Sequence, residues 1–417
     1  MKEEKGKQGH KPTQAFAERR KKMGFKKIVF ALPLAALLSL PVMARAEEQA
    51  LDAAKVEGQL DGLGERVGTL ESDVSGLKKL KLSGFIQARY ELHDDSADKY
   101  SIATAGAAPS DKNKDYFYIK RARIKTTYEG SKYYQMNIQI ETAGAAFSLK
   151  DAEGKVMIPL GDTMLNISMG QFKWPFGWEL DRSDTDRELP ERTIALRTLM
   201  PGERDRGIML GIAAPKYVEF RTGIFNGYGI QDSTYPIIAP IREAASVSRL
   251  AFDFGFLTFG GSIFAGNSSN RPSTSVGTTD YNTRAKNRFQ ADCHIYYPVP
   301  YVGGGRFDVE GYSGKDWSTS KTNKKGGKGD YASSLGGYIQ IVQNFLKYEQ
   351  LAIRYDYWDP DRNVQADGID TLGFSLGTFF PYDPNAKLTV AYEIPTNTNK
   401  KKDKDDDFLT VQFQYKF

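Results

Sequence analysis

The chain has 417 residues, a formal net charge of +5, 12% aromatic residues and a single cysteine, Cys293. The basic excess lies at the start, because residues 1–46 carry 11 Lys and Arg against 3 Glu, whereas the remainder has 46 basic and 49 acidic residues. A chain with this slightly acidic body is not expected to bind nucleic acid, and a single cysteine excludes an internal disulfide framework and covalent haem attachment.

Residues 1–46 are predicted to be a secretory signal peptide. Lys26 and Lys27 precede the apolar run Ile28–Leu40, and Ala44-Arg45-Ala46 forms a small-x-small cleavage site. The run is shorter than the roughly 18 apolar residues of a membrane-spanning helix, so cleavage is favoured over a retained anchor. Met23 is an alternative start, because the residues before it are merely polar and basic.

Seven apolar residues after the signal peptide are spaced alternately by four and three positions, which is the heptad pattern of a coiled coil. They are Val56, Leu60, Leu63, Val67, Leu70, Val74 and Leu77. We expect residues 47–80 to form a short periplasmic coiled coil. The alternative is a single amphipathic helix, although the glycines in this stretch disfavour an isolated helix by roughly 1 kcal/mol each. A three-stranded coil would imply a homotrimer.

From residue 81 onward, apolar and polar residues alternate in short segments, as expected of strands with one apolar face and one solvated face. The last strand, Leu409–Phe417, places its apolar residues on odd numbers and its polar residues on even numbers. Sixteen segments of this kind lie near 82–92, 115–128, 133–143, 146–158, 163–174, 206–214, 217–227, 246–254, 257–265, 286–297, 305–313, 331–343, 346–358, 370–380, 386–395 and 407–417.

The connectors between these segments alternate between long and short through most of the chain, for example 175–205, then 214–216, then 228–245, then 255–256. Outer-membrane barrels have short periplasmic turns and longer outer loops. We therefore predict an all-β fold, a 16-stranded antiparallel transmembrane β-barrel over residues 81–417, preceded by the coiled-coil helix. The location would be the outer membrane of a Gram-negative bacterium. A β-sandwich is the alternative, but it does not explain the long and short connectors.

Charged residues on the strands indicate that the interior of the barrel is polar and filled with water. Arg121, Arg123 and Lys125 lie on one face of a strand, and we call them the cationic ladder. A charge that faces lipid near the midplane costs about 2 to 4 kcal/mol, so the ladder is expected to face the lumen. Two roles are open for it, attraction of anions and structural pairing with acids of the wall. Three couples of Arg and Asp are expected to form such wall pairs. They are Arg249 and Asp253, Arg288 and Asp292, and Arg354 and Asp356.

The connector 175–205 is too long for an ordinary hairpin. It carries Arg182, Arg187, Arg192 and Arg197 together with a similar number of acidic residues. In a porin, a long early loop folds into the lumen and narrows it, and charges at such a constriction set ion selectivity. We predict a constriction loop with these arginines as pore-lining groups. The alternative is a solvated surface loop with self-paired charges.

Several motifs resemble those of the phosphate-selective porin O and P family. They are Gln171-Phe172-Lys173-Trp174-Pro175-Phe176-Gly177, Pro190-Glu191-Arg192, Arg204-Asp205-Arg206-Gly207, Arg121-Ala122-Arg123, Phe225-Asn226-Gly227 and Arg354-Tyr355-Asp356-Tyr357-Trp358-Asp359-Pro360. The resemblance implies a 16-stranded trimeric porin whose cationic constriction passes phosphate or related anions. Arg121, Arg123 and Arg192 lie within matching motifs, whereas the family's binding lysines have no assigned positions here. The near balance of charges in the loop departs from a strongly cationic constriction.

The sequence therefore favours a diffusion channel for small anionic solutes, with outer-membrane lipid and lipopolysaccharide as surroundings. No cofactor or metal is predicted, and an enzyme is not expected because only His93 and His294 follow the signal peptide. Two alternatives remain open. One is a general, non-selective porin, and the other is a barrel that acts as a sheath for a periplasmic partner such as a cytochrome.

Overall fold

The computed structural model describes residues 53–93, 116–144, 146–214, 217–227, 229–230, 244–269, 283–322, 328–365, 367–397 and 407–417. The predicted signal peptide lies outside this part of the chain and stays a prediction. The helices are α1 (Ala53–Lys78), α2 (Trp178–Asp181) and α3 (Ile194–Leu199). The strands are β1 (Leu80–His93), β2 (Tyr116–Ser131), β3 (Tyr134–Glu141), β4 (Ser148–Leu160), β5 (Thr163–Lys173), β6 (Arg204–Ala214), β7 (Val218–Phe225), β8 (Ala245–Asp253), β9 (Leu257–Ser269), β10 (Thr283–Val299), β11 (Gly303–Thr322), β12 (Lys328–Phe345), β13 (Glu349–Asp359), β14 (Ile369–Phe380), β15 (Asp383–Asn397) and β16 (Phe408–Lys416).

The sixteen strands form one closed antiparallel barrel, which confirms the predicted fold class. Each strand pairs with its neighbours in sequence, and β1 pairs with β16 from Phe85 opposite Lys416 to His93 opposite Phe408. Beyond this ladder, Gly84 and Phe417 exchange two backbone hydrogen bonds of 3.0 Å. The C-terminal residue therefore lies at the seam where the barrel closes.

The connectors follow the predicted alternation. The turns after β2, β4, β6, β8, β10, β12 and β14 have two or three residues, whereas most of the connectors after odd-numbered strands are longer. With an even number of strands, both ends of the sheet lie at the end of the barrel that carries the short turns.

The barrel has a polar inside and an apolar outside, the reverse of a water-soluble protein. In β16, Thr410, Gln412 and Gln414 are buried, whereas Phe413 and Tyr415 are about 40% exposed. The same alternation buries Asn137 in β3 and exposes its neighbours Met136 and Ile138. The two faces predicted for the last strand are thus observed, and β3 follows the same rule that successive side chains lie on opposite faces.

The chain divides into two compact units, Met1–Thr69 and Leu70–Phe417, and α1 contains the boundary. Several heptad residues of α1 are between 47% and 67% exposed, namely Leu63, Val67, Leu70, Val74 and Leu77. The helix agrees with the prediction, whereas its assembly into a coiled coil stays a prediction. Among the described residues, no helix is long and apolar enough to cross a membrane.

Candidate functional site

The long loop between β5 and β6, residues 174–203, lies inside the barrel. Gln87 of β1 donates to the backbone oxygen of Asp184 at 3.0 Å, and the Gly177 N–H donates to Ser262 Oγ of β9 at 3.0 Å. Strands β1 and β9 are eight positions apart in a ring of sixteen, so the loop contacts opposite walls. Further backbone oxygens of the loop accept hydrogen bonds from Arg89, Arg354, Lys387 and Gln414. The loop is therefore fastened around much of the wall.

Helix α2 is held at both ends by charged side chains of the wall. At its start, the N–H groups of Trp178 and Glu179 donate to the carboxylate of Glu310 at 2.9 and 3.0 Å. At its end, Lys173 Nζ donates to the carbonyl oxygens of Leu180 and Arg182 at 2.9 and 2.8 Å. An acid at the N-terminus and a cation at the C-terminus both satisfy unpaired backbone groups of a helix. The lysine of the Gln-Phe-Lys motif thus positions the loop.

Helix α3 is fixed in a similar way. Thr193 is its N-cap and accepts from the N–H of Leu196, while the N–H of Ile194 donates to Asp356 of β13 at 3.1 Å. Glu179 of α2 accepts from the N–H and the hydroxyl of Thr193 at 3.1 and 2.8 Å. The two short helices are consequently tied to each other as well as to the wall.

An apolar cluster packs one side of the loop against the inner wall. It contains Trp174, Phe176, Leu180, Ala195, Leu196, Leu199 and Met200 of the loop, with Phe225, Val247, Phe264, Tyr312 and Trp358 among the wall residues. Fully burying one large apolar side chain contributes about 1.5 to 3 kcal/mol. This packing, which the alternation of the strands did not reveal, stabilises a folded loop inside an otherwise polar lumen.

The acids of the loop meet the two arginines of the cationic ladder. Arg121 Nη2 lies 2.9 Å from Glu191, and Arg123 forms an ion pair with Asp184 and a second one of 2.7 Å with Glu141 of β3. Both arginines are less than 9% exposed. The third member, Lys125, is half-buried and forms no ion pair with the described residues. The ladder faces the interior as predicted, but its two arginines are paired.

The arginines predicted within the loop also fall into two groups. Arg182 pairs with Glu188 at 2.7 Å, Arg187 pairs with Asp184, and Arg192 pairs with Glu203. Burial alone would raise the pKa of Glu188, but the guanidinium groups of Arg182 and Arg306 hold that pKa well below its usual value. The pair of Arg182 and Glu188 is therefore charged, and all three pairs fasten the loop to itself.

Arg197 differs, because it forms no ion pair within the described chain. It is half-buried on α3, and its Nε donates to the carbonyl oxygen of Thr193 at 3.4 Å.

One further cation was missed in the sequence. Lys150 sits in a β-bulge, because Ile140 pairs with Leu149 while Gln139 pairs with Asp151, which leaves Lys150 without a partner across the ladder. A β-bulge changes the direction in which a side chain points, and the alternation of apolar and polar residues does not reveal where a bulge occurs. Its ammonium group lies within electrostatic reach of Arg123 and Arg204, and it forms no ion pair in the described structure.

The expected Arg and Asp couples form wall pairs, but with other partners. Arg249 pairs with Asp292 at 2.6 Å, and Arg288 pairs with Asp316 at 2.9 Å. Arg354 Nη1 lies 3.8 Å from Glu179 of the loop. The ion pairs of these arginines therefore join different segments of the chain. His294 is buried and its Nδ1 lies 2.8 Å from Asp308 Oδ1, and its ring stacks on Trp178 of the loop.

No protein-family model and no curated protein sequence matches the chain. Solved barrels have a similar fold. The outer membrane channel DcaP of Acinetobacter baumannii is 10% identical with a TM-score of 0.58, over 81% of this chain and 97% of that one. The anion-selective porin from Comamonas acidovorans is 11% identical with a TM-score of 0.53, over 81% and 99%. The trimer form of OmpT from Vibrio cholerae, an outer membrane protein, is 11% identical with a TM-score of 0.51, over 81% and 99%. At these identities the likeness shows the fold of this chain.

Proposed function

We propose that the protein is an outer-membrane porin, a diffusion channel that passes small solutes and prefers anions. The observation that carries this proposal is the polar, charged interior of a closed barrel whose outside is apolar, with a long loop folded inside. Such a barrel is stable in lipid, because every strand is paired and the lipid-facing side chains need no water. The long loop would act as the constriction.

The proposed preference for anions rests on the cations that lack a carboxylate partner. Among the described residues these include Lys125, Lys150 and Arg197, which are all half-buried. By contrast, Glu310 and Asp356 accept from N–H groups at the starts of α2 and α3. A half-buried cation in a region of low dielectric attracts a passing anion more strongly than one in bulk water.

Arg121, Arg123, Arg182, Arg187 and Arg192 are proposed to position the loop rather than to bind the permeating ion. Each of them already contacts a carboxylate. They still add to the positive field near the ladder, but their charges are offset locally. Because most of these arginines are paired and only a few cations are not, a moderate preference for anions is better supported than a phosphate-specific binding site.

The loop argues against a sheath for a periplasmic partner. A partner in the lumen would need the space and the polar groups that the loop occupies at β1, β9, β13 and β16. The fold of an anion-selective porin is among the similar barrels, which is consistent with the channel.

Swelling of liposomes that contain the purified protein tests the channel. Solutes of matched size and opposite charge are compared, such as gluconate against a quaternary ammonium ion of similar mass. We expect uptake of both, faster for the anion. Absence of uptake for every solute would support the sheath instead.

A titration of the single-channel current with phosphate tests the narrower, phosphate-selective alternative. A moderately anion-selective channel keeps its chloride current as phosphate is added at millimolar concentration. Saturable block of the chloride current at micromolar phosphate would show a dedicated phosphate site and would replace our assignment of unpaired cations.

A further inference from the structure

A groove is present on the outside of the barrel, where β4, β5, β6 and β7 lie side by side. Its volume is about 760 Å³. Gly170 and Gly207 line the groove and pair with each other across β5 and β6, so two side chains are missing from this part of the wall. Gln171, Arg206 and Asn226, which belong to three different motifs of the sequence, also line it. Segments that are distant in sequence therefore meet at one place on the outside.

The lining of the groove is divided into an apolar row and a polar row. In the apolar row, Met169 pairs with Ile208 and Ile208 pairs with Ile224, and their side chains are between 45% and 68% exposed. The polar row lies two positions closer to the long connectors, about 7 Å away. It consists of Gln171, Arg206 and Asn226. The groove is therefore amphipathic along the direction of the strands.

The polar row offers a cation and a hydrogen-bond acceptor to a ligand. Arg206 is exposed on the outside of the barrel, where a charge is unfavourable at the membrane midplane and tolerated near the interface, so a position at the level of the headgroups is favoured. A guanidinium at this level binds phosphate through charge-assisted hydrogen bonds. Gln171 donates its amide N–H groups to the backbone oxygens of Leu149 and Lys150 at 2.8 and 2.9 Å, which leaves its Oε1 as an acceptor.

The position of the groove along the barrel selects the leaflet of the membrane. The groove lies near the end of β5 and the start of β6, beside the long connectors and away from the short turns. The long connectors of an outer-membrane barrel are on the extracellular side. The leaflet on that side is rich in phosphorylated glycolipids, which carry acyl chains, phosphates and hydroxyl groups in one molecule. This step rests on the proposed location in the outer membrane.

We propose that the groove binds a phosphorylated glycolipid of the lipid A type from the outer leaflet. An acyl chain lies against Met169, Ile208 and Ile224, a phosphate group contacts Arg206, and Gln171 Oε1 accepts from a hydroxyl or amide group of the headgroup. The inference adds a lipid site on the outside of the wall to the channel that is proposed for its inside.

Native mass spectrometry of the full-length folded protein with added lipid A tests the site. We expect one tightly bound lipid A per chain. Arg206→Gln should lower the apparent affinity by roughly ten-fold, because a hydrogen bond between charged groups is lost. Lys315→Gln is the matched control, since Lys315 is an exposed cation on the outside of β11, away from the groove, and its loss should leave binding unchanged. Absence of a bound lipid, or an equal effect of both substitutions, contradicts the proposal.

A comparison of lipids tests the assignment of the headgroup by the same method. Lipid A without its phosphates should bind roughly ten-fold more weakly than lipid A, to the unchanged protein. Phosphatidylglycerol, which has a phosphate but no sugar, should also bind more weakly than lipid A. Binding of phosphatidylglycerol as tight as that of lipid A would overturn the choice of a glycolipid.

Blocking the apolar row tests the assignment of the acyl chain. Ile208→Trp should fill the groove and reduce the bound lipid A, whereas Ile212→Trp, at an exposed position further along the same face of β6, should not. Full binding by Ile208→Trp would contradict the proposed path of the chain. Heat-dependent migration on gels checks that each variant is folded. The readout is independent of ion conduction, so the lipid site can fail while the channel stands.

Discussion

Arg121, Arg123 and Lys125 share one face of β2, yet within the described part of the chain only the two arginines are bound to carboxylates. Their residue types and spacing predicted that the side chains point into the lumen, because a charge that faces lipid costs free energy. Structural pairing was one of the two roles left open. The partners Asp184 and Glu191 were not predictable, because they belong to a loop about sixty residues later whose path depends on its own packing. Neighbouring positions on one strand can therefore have different roles.

This difference gives a prediction for single substitutions in the ladder. Arg121→Ala or Arg123→Ala removes one of the cations around Glu191 and Asp184. Arg89 and Arg187 still contact these two carboxylates, so the cost should be smaller than the about 3 to 5 kcal/mol of breaking an isolated buried pair. We expect a loosened loop, seen as larger and noisier single-channel currents. Lys125→Gln is the control on the same face, and it should lower the anion preference while the current noise stays unchanged. If the current noise of the arginine variants equals that of the unchanged protein, the ion pairs do not hold the loop.

Lys150 allows the sharpest test of the unpaired cations. Lys150→Gln removes a charge that forms no ion pair in the described structure, so the ratio of chloride to potassium permeability should fall. Lys155→Gln on the same strand is a suitable control, because Lys155 Nζ already lies 3.5 Å from Glu153. An equal effect of both substitutions would mean that the general charge of the wall, and not the lack of a partner, sets the preference.

At the scale of elements, the sixteen strands and their connectors could be predicted because alternation and turn length are local properties of the sequence. The interior arrangement of the long loop could not, since it depends on Glu310 and Asp356, which are 107 or more positions beyond the last residue of the loop. A carboxylate that caps a helix in a distant segment has no signature in the sequence. The predicted boundary was also slightly long, because Arg204 already belongs to β6.

The anchoring of α2 predicts an effect at Gly177. This residue has a φ of 77°, and an added Cβ would lie 2.5 Å from Glu310 Oε1. Gly177→Ala should therefore displace the carboxylate that caps α2, and increase cleavage of the loop by added protease. Gly255→Ala is the control, because its φ is 83° and no atom lies within 4 Å of the added Cβ. Both positions have a positive φ, so both variants carry backbone strain. Gly177, with a ψ of 158°, lies in a region that is essentially restricted to glycine. If both behave alike, the contact with Glu310 is unimportant.

Closure of the barrel gives a second prediction for an element. An added Cβ at Gly84 would lie 2.4 Å from the backbone oxygen of Arg123 and 2.5 Å from the ring of Phe417. Gly84→Ala should weaken the seam by about 1 to 3 kcal/mol, because the backbone of β2 cannot move aside easily. The temperature at which the folded band converts to the unfolded band on a gel should fall. Gly311→Ala, where the added Cβ meets no atom within 4 Å, should leave it unchanged.

At the scale of the whole molecule, the barrel combines an apolar outer surface, a polar lumen and a loop that crosses the lumen. The apolar surface explains residence in a membrane, and the lumen explains why water and ions could pass. The small net charge of the body, which argues against a strongly selective filter, agrees with the many ion pairs inside. A few unpaired cations then decide the sign of the selectivity.

The reversal potential of the purified protein in a planar bilayer, under a gradient of KCl, tests the central claim most directly. We expect stepwise channel openings and a reversal potential displaced toward the equilibrium potential of chloride. This potential should move toward zero when Lys125, Lys150 and Arg197 are replaced together by Gln. A bilayer without openings, or a reversal potential displaced toward that of potassium, would contradict it.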